Sequence, residues 1–271
     1  MAAGSPPALA LPPWRPASGS VNLASMKERL DKVLVDRALA PSRERAQALI
    51  LAGLVRVAGR PATKAGFKVD PETDIQVTGK DHPFVSRGGV KLEAALAAFG
   101  LDPSGWTALD IGASTGGFTH CLLLRGCAHV FAVDVGYGQL AWELRTDPRV
   151  TVIERTHIRA LRPEALGRRV ELAVVDVSFI SLTTVLQHAV KFLAPGGHVL
   201  ALVKPQFEAG RGHVGRGGRV TDPAVHEQVM ERVGQAGAAL GLRLLGQMDS
   251  PIVGKKSGNR EFLALWQSPL A

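Results

Sequence analysis

The chain has 271 residues, a formal net charge of +8, and 46% hydrophobic residues of which few are aromatic. That length holds one large domain, or a large one with a small companion, around a core of Leu, Val and Ala. No apolar run approaches the roughly 20 residues of a membrane helix. Two cysteines, Cys121 and Cys127, are too few for a disulfide framework or a metal site, and they read as reduced thiols in or near the core.

Residues 1–25 are rich in Ala, Pro, Ser and Gly and carry one charge, Arg15. They lack the basic start and unbroken apolar segment of a signal peptide. The stretch reads as a disordered leader or an upstream-start artefact, with the structured pattern beginning at Met26 and the cytoplasm as the default location. The positive excess is spread along the chain, +1 in the leader, +3 in residues 26–82 and +4 beyond. It suits a polyanionic partner without forming a basic tail.

Residues 26–82 read as a small α+β module. KERLDKVLVDRALA sets Leu30, Val33, Leu34 and Leu39 on one helical face, and SRERAQALILAG follows as a second helix with Ser42 as N-cap and Gly53 as stop. LVRVAG and DIQVTG alternate as short strands. The run from Arg29 to Val69 resembles the RNA-binding module named after ribosomal protein S-four. The resemblance implies a phosphate-facing set of Arg29, Lys32, Ser42, Arg43 and Arg45. Residues 83–101 read as a linker, broken by Pro83 and loosened by Gly88 and Gly89, with a helix over Val90–Phe99 leading towards the next strand.

From residue 102 to 271 strands and helices alternate: TALDI, a helix after Gly117, HVFAVD, a helix near Gln139–Leu144, RVTVIE, ELAVVD, a helix near Leu182–Phe192, HVLALV, and a helix over Ala224–Leu240. Continuous apolar strands with intervening helices predict a Rossmann-like, doubly wound parallel sheet. LRLLGQM and REFLALW then predict an antiparallel terminal hairpin, as in methyltransferase sheets.

The first strand ends in Asp110 and turns through Gly112, Ala113, Ser114, Thr115, Gly116 and Gly117 into a helix beginning near Phe118. Glycines there let the backbone approach a ligand, and the helix start offers free N–H groups. Asp134, ending the second strand, is placed to take ribose hydroxyls. The pattern predicts a nucleoside-type cofactor and leaves the chemistry open. Asp110 is better suited to ordering the loop.

Four more residues stand out: Lys91 in the helix leading to the sheet, Asp176 ending ELAVVD, Lys204 ending HVLALV, and Glu261 opening the last strand. Taken singly, such acids are often caps and such lysines solvated. Lys204 differs, since it follows six apolar strand residues and precedes Pro205.

SRGGVKLEAAL, LDIGASTGGFT, AVDVGYGQLAW, DVSFISL, VKPQFEAGR and SGNREF together resemble the TlyA family, whose fold relates to FtsJ-like ribose methyltransferases. The resemblance implies S-adenosylmethionine as donor, ribosomal RNA or ribosomal subunits as partner, and methylation of the ribose 2′-hydroxyl. It implies a Lys91, Asp176, Lys204, Glu261 tetrad, and cofactor contacts from the 112–118 loop, Asp134, Asp176 and His157. Two positions depart from the family pattern: His120 and His157 stand where an acid and an Asn are common.

A ribose hydroxyl is a poor nucleophile until deprotonated, and a lysine is a poor base unless burial lowers its pKa. Lys204, desolvated beside Lys91, is expected to accept the proton, with Asp176 orienting it and holding Lys91. Glu261 would fix the outer lysine or the ribose, and no metal is needed. The glycine-rich run from Glu208 to Pro223, with Arg211, Arg216 and Arg219, reads as a mobile RNA clamp or a plain flexible loop. The rivals are a non-catalytic RNA-binding or ribosome-assembly protein, and a membrane-active protein of the kind the family's haemolysin label implies. A pseudouridine synthase would lack the donor loop, and a dinucleotide oxidoreductase would need G-x-G-x-x-G. A monomer is the simplest assembly.

Overall fold

A computed structural model describes residues 27–40, 42–78, 82–254 and 258–270. The expected leader, Pro41 and part of the 249–259 loop lie outside the described residues. The chain forms two compact units, Met1–Gly79 and Lys80–Ala271.

The first unit runs β1 (Glu28–Arg29), α1 (Leu30–Asp36), α2 (Arg43–Leu51), β2 (Val55–Val57), β3 (Arg60–Pro61), β4 (Lys68–Val69) and β5 (Ile75–Val77). β2 lies between β3 and β5 in an antiparallel sheet, and β1 pairs with β4. The first helix starts at Leu30 instead of Lys27 because Glu28 and Arg29 are drawn out to pair with Val69 and Lys68. Leu30, Val33 and Leu34 meet Ala46, Ile50, Val55 and Ile75 in one core, as the helical spacing predicts. The Ser42 hydroxyl accepts a hydrogen bond from the Arg45 amide at 3.2 Å, capping α2.

The second unit runs α3 (Gly88–Phe99), β6 (Thr107–Ile111), α4 (Gly117–Leu124), β7 (His129–Val133), α5 (Trp142–Arg145), β8 (Val150–Ile153), β9 (Val170–Val175), α6 (Leu182–Ala189), β10 (Leu193–Val203), α7 (Pro205–Glu208), α8 (Pro223–Ala239), β11 (Arg243–Asp249) and β12 (Phe262–Gln267). The sheet order is β11-β12-β10-β9-β6-β7-β8. β6 to β10 are parallel, and β12 inserts antiparallel between β10 and β11. Along β9, Leu172 and Val174 face a cluster with Leu92, Leu96 and Leu122 of α3 and α4. Ala173 and Val175 face the opposite cluster, with Leu186 of α6 and Val229 of α8. A core Leu or Val removed from water contributes roughly 1.5–3 kcal/mol, so two apolar faces hold the strand ends rigidly in register.

Two expectations change. The helix expected near Gln139–Leu144 is a single turn, Trp142–Arg145, because Gly138 sits at φ +68° with its amide held by Glu154 at 2.9 Å. Gly88 and Gly89 do not loosen a joint: they start α3, and a Cβ on Gly89 would lie 2.2 Å from Phe84 Cγ. They are there for close packing.

Candidate active site at the carboxyl rim of the sheet

Parallel strands β6, β7, β9 and β10 end on one rim, and the loops leaving them carry most of the sequence-predicted site residues. The loop after β6 is shaped by two constraints. Gly112 has φ +88°, and a Cβ there would lie 2.5 Å from the Asp176 carbonyl oxygen. Gly116 has φ +95°, and its Cβ would meet Leu144 Cδ1 at 2.3 Å. The loop is thus pressed between the end of β9 and α5, and a side chain fits at neither position. Gly117 and Phe118 are buried, while Ser114 is exposed and Thr115 partly so; Ala113 is buried and donates its amide to the Val133 carbonyl at 3.1 Å.

Asp110 has no exposed surface. Its Oδ2 accepts from the Thr119 amide at 2.9 Å and from the Thr119 hydroxyl at 2.7 Å, which fixes the first turn of α4. Its Oδ1 has no hydrogen-bond partner. Burial, with the Asp176 and Asp134 charges adding to it, pushes the carboxyl up to about 7. Asp110 is therefore a loop-ordering acid beneath the rim.

Asp134 stands on the surface of the rim, partly exposed. The Ser114 amide donates to its Oδ2 at 2.8 Å and the Gly136 amide to its Oδ1 at 2.7 Å. The carboxylate is held in one orientation by two loops, with lone pairs left over. His157 is exposed beyond β8, its Nδ1 accepting from the Arg159 amide at 3.1 Å.

The two lysines form two separate ion pairs. Lys204 Nζ lies 2.5 Å from Asp176 Oδ1, and also donates to the Ser178 hydroxyl at 3.1 Å. Lys91 Nζ, from the first turn of α3, lies 2.5 Å from Glu261 Oε2. Lys91 and Glu261 are buried, while Lys204 and Asp176 are partly open. Val203 of β10 pairs with Phe262 of β12, so Lys204 and Glu261 are successive cross-strand neighbours at the rim. The expectation that Asp176 also holds Lys91 is corrected: that partner is Glu261, because the inserted β12 brings its own carboxylate to α3.

Sequence reasoning missed Phe179. It is 86% exposed at φ +68°, a backbone region that costs a bulky residue about 1–3 kcal/mol. Its ring lies 5.3 Å from that of Phe207, so the loops after β9 and β10 present an aromatic surface beside Lys204. No periodicity encodes such a conformation; only the run of Val, Ser, Phe and Ile right after a rim acid hinted at it.

The glycine-rich arginine segment is built rather than featureless. It folds into 3-10 turns at Arg211–His213 and Arg216–Gly218. Asn259 pins it: Oδ1 accepts from the Val220 amide at 3.0 Å, and Nδ2 donates to the Gly218 carbonyl at 2.8 Å. Arg216 and Arg219 are exposed, and the side chain of Arg211 lies outside the described residues. Cys121 and Cys127 are buried, and burial pushes the Cys127 thiol up to about 12 and the Cys121 thiol higher than usual.

In the first unit, Arg29, Lys32 and Arg43 are each about half exposed, but all three are engaged by acids. Asp31, fully buried, accepts from Arg29 Nε at 3.0 Å, Arg43 Nη2 at 3.2 Å and Gln47 Nε2 at 2.8 Å. The Arg29 guanidinium beside it holds its carboxyl well below the usual range. Lys32 pairs with Glu28 and with Asp36. Ser42 is occupied as a helix cap, and Arg45 is partly buried.

Residues 84–267 match the family described as FtsJ-like methyltransferase, and residues 28–75 match the S4 domain. Over 241 residues, 89% of each chain, the protein is 50% identical to the 16S/23S rRNA (cytidine-2′-O)-methyltransferase TlyA of Mycobacterium tuberculosis. It is 39% identical over 237 residues to Hemolysin A of Brachyspira hyodysenteriae, covering 87% of this chain and 98% of that one. A solved structure described as a hemolysin from Streptococcus thermophilus superposes with a TM-score of 0.71 at 43% identity, over 91% of both chains. A seven-stranded sheet with one inserted antiparallel strand, a glycine loop after β6 and an acid after β7 define an S-adenosylmethionine-dependent methyltransferase. An RNA-binding module of the S4 type precedes that catalytic unit. The chain belongs to the TlyA family of FtsJ-like methyltransferases.

Proposed function

We propose that the protein methylates ribose 2′-hydroxyls of ribosomal RNA, with Lys204 as base and Lys91, Asp176 and Glu261 as its charged frame. The observation that carries this reading is the pair of ion contacts, Lys204–Asp176 and Lys91–Glu261, on successive positions of one rim. The name of the M. tuberculosis relative, with half its sequence identical, supports both rRNA and the 2′-hydroxyl as target.

The rim has donors suited to the cofactor. The oriented Asp134 carboxylate fits ribose hydroxyls, and the 112–118 loop supplies backbone rather than side chains. Asp176 and the exposed His157 flank that region. S-adenosylmethionine supplies an electrophilic sulfonium methyl, which needs no metal.

Lys204 Nζ, entering the step as the neutral amine after the ammonium of the resting ion pair has passed a proton to solvent, takes the 2′-hydroxyl proton as the hydroxyl oxygen attacks. Asp176 Oδ1 holds that nitrogen in place and offsets the charge it gains. Lys91, locked by Glu261, keeps a fixed positive charge near the rim, where developing oxyanion character is favoured. Phe179 and Phe207 offer a face on which a base turned out of its helix can stack. Arg29, Lys32, Arg43, Arg45, Arg211 and Arg216 are the proposed phosphate contacts, those of the first unit partly neutralised by their acids. A cytoplasmic, ribosome-associated monomer fits this chemistry.

The test is methyl transfer from tritiated S-adenosylmethionine to separated small and large ribosomal subunits, with Lys204→Ala alongside. Label in rRNA that falls by about 10²–10⁴-fold in the variant, with cofactor binding retained, is the expected result. No label on either subunit or on naked rRNA, in a protein that still binds RNA, would leave the non-catalytic reading. Leakage of vesicles at low protein concentration would favour the membrane-active one; no helix among the described residues is long and apolar enough to cross a membrane.

A further inference from the structure

We propose that Glu208 is a positioning residue for the transfer step: its carboxylate clasps the far ends of the two loops whose near ends carry Asp176 and Lys204. The inference rests on the methyltransferase reading above. Residues 176–181 leave β9 and residues 204–208 leave β10, so the two stretches run side by side from the rim. They are joined along their whole length. The Asp176–Lys204 ion pair joins their starts, where Lys204 also donates to the Ser178 hydroxyl at 3.1 Å, the Phe179–Phe207 rings meet midway, and Glu208 closes the end.

Glu208 is buried, 5% exposed, and both its oxygens are engaged. Oε2 accepts from the Ser181 hydroxyl at 2.7 Å, and Oε1 accepts from the Leu182 amide at 2.7 Å. Leu182 is the first residue of α6, and Ser181 makes no cap of its own to that helix. Glu208 therefore caps α6 from another element, its carboxyl oxygen taking the first amide of the helix. Its backbone is fixed in turn, since Arg232 of α8 donates to the Glu208 carbonyl at 2.6 Å. The clasp is thus anchored to two helices of the apolar layer.

Between the clasp and the ion pair, the chain passes through Phe179 in its left-handed conformation. Such a conformation persists only where the surroundings over-determine it. Glu208 supplies the distal restraint and Lys204 the proximal one. Releasing the distal end lets Phe179 relax to an extended backbone, which draws Ser178 off Lys204 and frees the ammonium to shift against Asp176, whose own amide stays on the Ile111 carbonyl at 3.0 Å. Two contacts of 2.7 Å to successive residues fix the orientation of the carboxyl plane as well as its position.

The full-length protein is assayed for methyl transfer with Glu208→Ala, Glu208→Gln and Ser181→Ala, together with hydrogen exchange over residues 177–182. The Gln side chain keeps an acceptor for the Leu182 amide and can donate to the Ser181 hydroxyl. Glu208→Gln is therefore expected to keep kcat within about threefold, with exchange unchanged. Glu208→Ala is expected to lower kcat by about 10²-fold, the scale of a displacement near 1 Å. RNA KM and cofactor affinity should move far less, and exchange over 177–182 should rise. Ser181→Ala, which removes the hydroxyl's bonds to Glu208 and Thr183 and leaves the Leu182 amide on Glu208, should give an intermediate loss.

A Glu208→Ala enzyme with near-normal kcat and only a lower melting temperature would reduce Glu208 to a helix cap and overturn the proposal. So would equal inactivity of Glu208→Ala and Glu208→Gln with unchanged exchange, since the charge itself would then be acting. If the wild type transfers no methyl to rRNA, the function reading fails instead, and the exchange measurement still reports on the clasp.

Discussion

Substituting Gly112 by Ala should damage this enzyme in a way the structure makes calculable. At φ +88° an Ala carries about 1–2 kcal/mol of backbone strain. Its Cβ would also sit 2.5 Å from the Asp176 carbonyl oxygen and 3.1 Å from Val177 Cγ1. Neither neighbour is the free end of a flexible chain, and overlap of this kind costs a further 1–3 kcal/mol or so. The sum is roughly 2–5 kcal/mol. Gly138 gives the control: its φ is +68°, yet nothing lies within 4 Å of its Cβ position, so Gly138→Ala bears the backbone cost alone. Urea unfolding followed by tryptophan emission reads chiefly the second unit, which contains Trp106, Trp142 and the fully buried Trp266; the fourth tryptophan, Trp14, lies outside the described residues. Gly112→Ala should unfold at lower urea than Gly138→Ala. It should also bind S-adenosylmethionine at least tenfold more weakly by calorimetry, because the loop and the end of β9 are displaced together. Equal stability of the two variants, with cofactor affinity unchanged, would refute the argument that the loop is pressed against Asp176.

The remaining predictions concern charge. Asp110, raised to about 7 from an ordinary 3.8, holds a proton in the folded state that the unfolded chain gives up. Its contribution to stability is fully present below about pH 4 and is lost as the pH rises to about 7, a change of about 4 kcal/mol at 1.36 kcal/mol per unit. Asp110→Asn, shaped like the protonated acid, should remove that slope and be at least as stable as wild type at pH 8 in urea titrations; an unchanged pH profile would rule out a neutral Asp110. Asp31 has the opposite sign: with its carboxyl held below the usual range by Arg29, its stabilisation is present above about pH 4 and lost as the pH falls. Asp31→Asn should cost the first unit about 1–3 kcal/mol near neutral pH and flatten its acid limb, read by hydrogen exchange over residues 30–36.

The parallel sheet was legible because its strands are apolar runs, three of which give way abruptly to Asp134, Asp176 and Lys204, while Asp110 sits one residue inside the end of β6. Burial on both faces writes that signal directly into the sequence. The partners of the charged rim residues were not legible. Whether Asp176 or Glu261 meets Lys91 depends on β12 lying antiparallel beside β10, a pairing between segments some sixty residues apart. No spacing in the sequence singles out Asp31, since its burial comes from Arg29, Arg43 and Gln47 folding over it. Glu208 was read as the start of a flexible run, because a carboxylate that caps a helix from a different element leaves no local spacing to detect. The short α5 failed for a similar reason: a helical apolar spacing is outweighed by backbone fixed at Gly138.

Backbone strain in the second unit is distributed unevenly, and the distribution bears on function. Among the described residues of that unit, three that are not glycine have positive φ: Ser114, Arg155 and Phe179. They follow β6, β8 and β9, so all three stand on the carboxyl rim. At the opposite rim, turns of left-handed backbone fall on Gly105, Gly126, Gly167, Gly196 and Gly241, where the conformation costs little. The carboxyl rim turns on glycines too, Gly112, Gly116 and Gly138 among them, but in this unit it alone adds residues whose side chains make the conformation expensive. Buried ion pairs are likewise weak contributors to net stability, since desolvation offsets much of their attraction. Strained backbone costs that edge stability, and its two ion pairs, one buried and one partly open, return little of it. The apolar layers on both faces of the sheet are what allow the fold to carry them. Strain kept at this rim, rather than relieved by glycine, is what the proposed transfer chemistry at Lys204 would require of it.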